Sequence, residues 1–246
     1  MPFNFQLIRL PWKAKEIAAA IERYEALLPS DAWPNWVLGN HDKPRTASRV
    51  GAAQARVAAM LLLTLRGTPT LYYGDEIGMH DVPIPAHLIQ DPFEKNVPGL
   101  GLGRDPVRTP MQWTNGKSAG FTTGKPWLPI ADDFKSANVA ALRDQAASIL
   151  TLYHRLIKLR RSEPALSVGE FAPVPADDDL IAYVRKAGDR RLLIVLNLGS
   201  EARSFNLSDL EARASLLLST HLDRDQEYSR DDLQLRADEG VIVELR

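Results

Sequence analysis

Between residues 13 and 28 the apolar positions Ile17, Ala20, Ile21, Tyr24, Leu27 and Leu28 recur at the spacing of one helix face, and Pro29 ends the run. Residues 49–65, rich in alanine and leucine and closed by Gly67, predict a second helix. Three shorter stretches sit around these helices. Residues 3–10 alternate large apolar side chains with Asn4, Gln6 and Arg9, residues 34–38 form a compact apolar run, and residues 68–74 end at Gly74. The order strand, helix, strand, helix, strand with short connections predicts parallel strands joined by right-handed crossovers, an α/β fold.

The periodicity then stops. Residues 77–135 hold eight prolines, among them Pro83, Pro92, Pro106 and Pro129, together with Gly99, Gly101 and Gly103. A stretch this long without periodicity is a functional loop or a disordered segment. Phe93, Trp113, Phe121 and Trp127 give it an aromatic content that linkers lack, which predicts an ordered excursion over the strand ends. Helical spacing returns over residues 136–161, with basic residues gathered at the C-terminal end where they complement the helix dipole. Beyond residue 165 the pattern becomes short apolar runs at 180–185, 192–198, 215–219 and 241–245, separated by turn clusters such as Gly188-Asp189 and Gly199-Ser200. These predict an antiparallel β-sandwich domain over 166–246, following a first domain over 1–165 that carries the long loop at 77–135.

Composition changes this picture little. The 246 residues suffice for a sizeable core, and 45% hydrophobic with 25% charged residues is ordinary for a globular chain. A net charge of -1 gives no electrostatic case for nucleic acid or an anionic membrane as partner. The absence of cysteine excludes disulfides and thiolate metal sites. No apolar run approaches the roughly 20 residues of a bilayer span, and the first residues lack the pattern of an export signal, so a cytoplasmic protein is expected.

One stretch concentrates chemistry. In residues 36–45 the apolar run Trp36-Val37-Leu38 stops at Gly39 and opens into Asn40, His41, Asp42, Lys43, Pro44 and Arg45. A buried strand that ends in amide, imidazole, carboxylate and guanidinium places polar groups on a rigid rim. The same residues also suit a helix N-cap by Asn or Asp, and local pattern weighs the two equally.

This stretch resembles the motif after the seventh barrel strand of the α-amylase family of glycoside hydrolases. Residues 67–79, GTPTLYYGDEIGM, resemble that family's eighth-strand segment, and residues 104–113, RDPVRTPMQW, a signature of its α-glucosidase and oligo-1,6-glucosidase branch. The resemblance implies the C-terminal part of a (β/α)8 TIM barrel, about strands six to eight, followed by the sandwich. It implies further that the nucleophilic Asp and the acid/base Glu lie outside this chain, which is then expected to be inactive alone. Its partners would be an oligosaccharide substrate and the missing N-terminal part of the barrel, whose absence predicts poor solubility.

By the same resemblance Asp42 is the transition-state-stabilising carboxylate, His41 a substrate-binding donor, and Arg104 a contact to the non-reducing glucose, with Arg108 close behind. Either arginine can instead staple the long loop to a neighbouring acid. The family implies hydrolysis of terminal α-linked glucose. A trehalose synthase or sucrose isomerase type of transfer, and a non-catalytic carbohydrate-binding or interaction remnant, are the alternatives. Asp75 and Glu76 are expected to anchor a loop. Trp113 and Trp127 are expected in a loop core, while Phe121 could line a sugar face. His80, His87, His154 and His221 show no ligand spacing, so no metal and no cofactor is expected. Residues 177–179, three consecutive aspartates, suit a solvated turn better than a calcium site.

Overall fold

A computed structural model describes residues 2–29, 31–176, 179–210, 213–224, 227–228 and 232–246. Its helices and strands begin with α1 (Gln6–Arg9), α2 (Ala14–Leu27), β1 (Asn35–Val37), α3 (Thr46–Val50), α4 (Ala52–Thr64) and β2 (Thr68–Thr70). Strands β1 and β2 pair in parallel with Asn35 opposite Thr68 and Val37 opposite Thr70, as the α/β pattern predicts.

The first predicted strand differs from expectation. Within residues 3–10 only Asn4 joins the sheet, as an isolated parallel bridge to Trp36. The Asn4 side chain accepts from the Gln6 backbone N–H at 3.0 Å, and this local bond turns the chain into α1 instead of extending the strand. The second predicted helix is two, α3 and α4, because Gly51 between them adopts φ +83°. The long helix expected over 136–161 is likewise two, α6 (Val139–Arg143) and α7 (Ile149–Ser162). Asn138 caps α6 by accepting from Ala141 N at 2.8 Å, and Ser148 Oγ accepts from Thr151 N at 3.0 Å at the start of α7. Between β2 and α6, the loop residues include one short helix, α5 (Pro92–Asn96), and several single 3-10 turns.

After α8 (Pro164–Ser167) come β3 (Glu170–Val174), β4 (Leu180–Ala187), β5 (Arg190–Asn197), β6 (Arg203–Asn206), β7 (Ala214–Ser219), β8 (Glu227–Tyr228), β9 (Asp232–Leu235) and β10 (Gly240–Leu245). A six-stranded antiparallel sheet runs β3-β4-β5-β10-β7-β8, and β6 pairs with β9 in a second sheet. Leu180, Ala182, Val184, Leu193, Val195, Val241 and Val243 from the large sheet share a core with Phe205, Leu233 and Leu235 from the small one. Each Val, Leu or Phe side chain among them, fully buried, contributes about 1.5 to 3 kcal/mol. Asp177 and Asp178 of the aspartate cluster lie outside the described residues.

The chain forms two compact units that differ from the division at residue 165. The first holds the chain up to Leu38, Ala53–Thr70 and Leu152–Arg246; the second holds Gly39–Ala52 and Leu71–Thr151. The first unit explains why β4 and β5 read as continuous apolar runs: both faces of the large sheet are covered. Ile181, Tyr183, Leu192, Ile194, Leu196 and Ile242 on the other face are also buried. Tyr183 shares a hydrogen bond with Thr64 of α4, Arg185 donates to the Thr64 carbonyl, and Arg160 of α7 donates to Leu63 O at 2.9 Å. Helix α4 is buried at every position from Ala55 to Thr64 except Arg56, whose Nε donates to Thr220 O at 2.9 Å. Trp36 is wholly buried, with its indole N–H on Arg66 O at 2.6 Å and Tyr24 edge-on at 5.3 Å.

Among the described residues no helix is long and apolar enough to cross a membrane.

Candidate functional site

The candidate site lies within the second unit and begins at Gly39. A Cβ there would stand 3.1 Å from Asp75 Oδ2 and 3.3 Å from Thr46 Oγ1, so a glycine lets the chain pass this close. Asn40 Oδ1 then accepts from the Asp42 backbone N–H at 2.9 Å, closing a turn that presents His41 and Asp42 outward. The helix-cap reading of this stretch does not hold. The N-cap of α3 is Arg45, and no side chain caps it.

Arg45 has another task. It is fully buried, donates Nη1 to Tyr73 O at 2.7 Å, and lies 5.0 and 4.7 Å from the ring centroids of Tyr72 and Tyr73. Its backbone N–H donates to Asp81 Oδ1 at 2.8 Å. The rim that carries His41 and Asp42 is therefore tied to residues 72–81 by one buried cation. Glu76 accepts from Gly74 N at 2.8 Å, in keeping with a loop anchor. Asp75 is buried, and burial pushes its carboxyl up to about 7 against the opposing pull of Arg45.

Asp42 is the meeting point of the residues singled out in the sequence. Its Oδ1 accepts from Arg104 Nη1 at 3.2 Å and from Arg108 Nη2 at 3.0 Å, and His41 Nε2 stands 3.5 Å away. Arg108 Nε also donates to the His41 carbonyl at 2.9 Å. Every one of these contacts to the carboxylate falls on the same oxygen; among the described residues Oδ2 accepts nothing. The Asp42 side chain is 43% exposed, so the unused oxygen belongs to a group still open to solvent. Partial desolvation acts to raise the Asp42 carboxyl, but the bond from Arg104 and the charges of His41 and Arg104 outweigh it and hold it below the usual range.

Of the tasks weighed from the sequence, Arg104 performs the staple to a neighbouring acid. It contacts Asp42 and it also staples the loop, through Asp91, which accepts Nε at 2.7 Å and Nη2 at 3.0 Å. That bond holds the Asp91 carboxyl far below the usual range. Sequence reasoning missed Asp91. The only local signal was Asp91-Pro92, an N-cap followed by proline at the first helical position.

The expectation that Trp113 and Trp127 sit in a loop core is corrected. Trp113 is 48% and Trp127 81% exposed, while the apolar centre of the unit is Ile77, Met79, Met111 and Leu150 with Val139 and Leu142 against it. Unbranched and aliphatic side chains fill that irregular centre, and the rings stay outside. Phe121 and Trp127 instead line a cleft of about 660 Å³ together with Tyr73, Arg108, Pro110 and Met111. Arg108 thus belongs to both the cleft and the Asp42 cluster. His80 Nδ1 lies 3.5 Å from Asp133 Oδ2, a pairing the spacing did not suggest. Among the described residues no three acidic or histidine side chains come together as a metal site.

Residues 2–169 match the family model described as alpha amylase, catalytic domain. Maltase A1 of Drosophila melanogaster is 38% identical over 216 residues, covering 85% of this chain and 37% of its own length. Oligo-1,6-glucosidase of Parageobacillus thermoglucosidasius is 29% identical, covering 96% of this chain and 47% of its own. The amino acid transporter heavy chain SLC3A1 of Rattus norvegicus is 33% identical, covering 99% and 36%. The chain therefore spans less than half the length of these curated relatives. Among solved structures, the alpha-glucosyl transfer enzyme XgtA superposes with a TM-score of 0.90 at 30% identity, covering all of this chain and 46% of that one. Isomaltulose synthase from Klebsiella sp. LX3 superposes at 0.88 and 27% identity, covering 99% and 50%.

Proposed function

The chain belongs to the alpha-amylase family, and from that premise we propose that it supplies the sugar-holding part of a retaining α-glucosidase site. In this reading β1, β2 and the strand bridge at Asn4 correspond to about strands six to eight of a (β/α)8 barrel, and residues 166–246 to the β-domain behind it. The supporting observation is the Asp42 cluster: two guanidinium groups and an imidazole load one oxygen of an ionised, half-open carboxylate. A fixed anion of this kind favours the positive charge that develops at a sugar's anomeric carbon, and its free oxygen can accept a neighbouring hydroxyl.

Retaining hydrolysis also needs a nucleophile and a proton donor about 5 to 5.5 Å apart. Asp42 and Asp91 are both held ionised, so neither donates a proton near neutrality, and Asp75, the carboxyl raised to about 7, is buried away from a sugar. In this reading the reacting pair lies outside this chain, and its setting is cytoplasmic. The cleft that shares Arg108 suits the next ring of a short oligosaccharide, because Phe121 and Trp127 offer flat apolar faces.

The test is turnover of maltose, isomaltose and a chromogenic α-glucoside by the 246-residue chain. No turnover is expected from it alone, and measurable turnover when the matching remainder of a family barrel is supplied. Substantial activity of the lone chain that Asp42→Asn abolishes would overturn the assignment of the reacting pair. Glucosyl transfer or isomerisation is favoured by a different observation, the superposition on an isomaltulose synthase and a glucosyl transfer enzyme. Product analysis with sucrose separates it from hydrolysis. The match to a transporter heavy chain gives the interaction reading its support; a complete barrel with no turnover on any of these sugars would select it.

A further inference from the structure

Residues 90–105 form a loop whose acidic side chains bind its own backbone. Asp105 Oδ2 accepts from the N–H groups of Gln90 at 2.6 Å and Asp91 at 2.8 Å. Glu94 accepts from Gly99 N at 2.9 Å and Gly103 N at 3.0 Å. The Asp91 side chain, with no exposed surface, accepts from Phe93 N at 3.1 Å and from the backbone N–H of Arg104 at 2.7 Å. It also takes Nε and Nη2 of the same arginine, the fork on one side of the guanidinium. The Phe93 ring lies 4.8 Å from Arg104 Cζ. Backbone, two guanidinium nitrogens and an aromatic ring thus fix Arg104 within the loop. Nη1 is the nitrogen left over, and it is the one that meets Asp42.

We propose that Asp91 is a positioning residue: by gripping Arg104 it directs Nη1 onto Oδ1 of Asp42 and so keeps Oδ2 free for a sugar hydroxyl. The second half of this statement rests on the sugar-holding reading of Asp42; the first half stands on its own. Asp91 never touches the sugar. Its effect passes through the direction of one N–H.

The sign of one titration separates positioning from simple charge. If Asp91 acted only as a nearby negative charge, or competed with Asp42 for Arg104, its removal would lower the Asp42 pKa, since less repulsion or more of the guanidinium would reach Asp42. If Asp91 aims Arg104, its removal lets the guanidinium drift and the Asp42 pKa rises.

The experiment is a carbon-detected NMR titration of the Asp42 carboxyl in the full 246-residue chain, for wild type, Asp91→Asn and Arg104→Ala. An upward shift in Asp91→Asn that approaches the shift in Arg104→Ala is expected, with loss of solvent protection at the Arg104 Nε–H. An unchanged or lowered Asp42 pKa overturns the proposal. Should Asp91→Asn fail to fold, Asp91→Glu keeps the negative charge but displaces the grip on the fork, so simple charge would leave the Asp42 pKa in place. An upward Asp42 shift is expected there too, and none overturns the proposal. No sugar or turnover enters this measurement, so a failed activity assay strikes only the function proposed above and leaves the titration result standing.

Discussion

Each compact unit contains a carboxylate held by two arginines, and the two are built to opposite ends. In the first unit Glu239 has no exposed side-chain surface and both of its oxygens are occupied. Oε1 accepts from Ser219 Oγ at 2.6 Å and Arg236 Nη2 at 2.8 Å, and Oε2 from Arg224 Nη1 at 2.9 Å and Arg236 N at 2.8 Å. In the second unit Asp42 has its partners on one oxygen and leaves the other without a protein donor. A saturated, buried ion pair resists replacement because removing one partner strands the rest. A half-loaded, exposed one adds little to folding and keeps a bond in reserve. Counting arginines around an acid does not distinguish the two; counting the acid's free oxygens does.

The largest effect should come from breaking the closed cluster. Glu239→Ala is expected to cost about 3 to 5 kcal/mol, because two arginines and a serine lose a buried partner; chemical unfolding measures it. Acid does the same more gradually. Arg236, Ser219 and Arg224 overcome the burial that would raise Glu239 and hold its carboxyl at about 2, against 4.5 for a free side chain. Its contribution is therefore full above about pH 4.5 and lost as pH falls toward 2.

Asp75 sharpens the contrast, since it is buried without being saturated: Oδ1 has no hydrogen-bond partner. Its folded pKa of about 7 lies above the unfolded value of 3.8. Between those values the unfolded chain gives up a proton that the folded chain keeps, so stability falls as pH rises through that window and levels off above it. Asp75→Asn should melt above wild type at pH 7.5, by at most about 4 kcal/mol of added stability, with the margin closing at pH 4. A margin that grows on acidification would refute the assignment.

The smallest change in folding belongs to the open cluster. Asp42→Asn should shift stability by no more than about 0.5 kcal/mol. Binding of methyl α-glucoside or maltose, followed by NMR in the assembled barrel, should weaken at least about tenfold, which is 1.4 kcal/mol. Arg108→Lys should weaken it less, keeping the charge but losing the bond to the His41 carbonyl and the cleft wall it forms. A fall in stability as large as that of Glu239→Ala would erase the distinction.

The sequence carried the parallel pairing of β1 with β2, the antiparallel strands β4, β5, β7 and β10, and the residues Asp42, His41, Arg104 and Arg108 that come together. Those features rest on spacing and on compact motifs. What stayed hidden depends on bonds between residues that no period links. Asn4 diverts a strand by one side-chain bond, Ser148 splits a helix, and Asp91 reaches Arg104 across thirteen positions of a loop. Burial misled for a different reason. Trp113 and Trp127 have the composition of a core, yet the space at the centre of their unit is filled by Met79, Met111, Ile77 and Leu150, and nothing in residue type alone says which claimant wins a limited volume.

The self-bonding of residues 90–105 has a consequence for how this segment tolerates change. Both ends of its tip, Gly99 and Gly103, are moored to the one side chain of Glu94, and Leu100 and Leu102 between them are more than half exposed. The tip is therefore mechanically downstream of its mooring, like slack beyond a knot. A residue inserted after Leu100, or a protease nick there, leaves both strands of the loop tied and Arg104 where it was, whereas Glu94→Ala would let a distant, solvent-facing tip pull on the guanidinium.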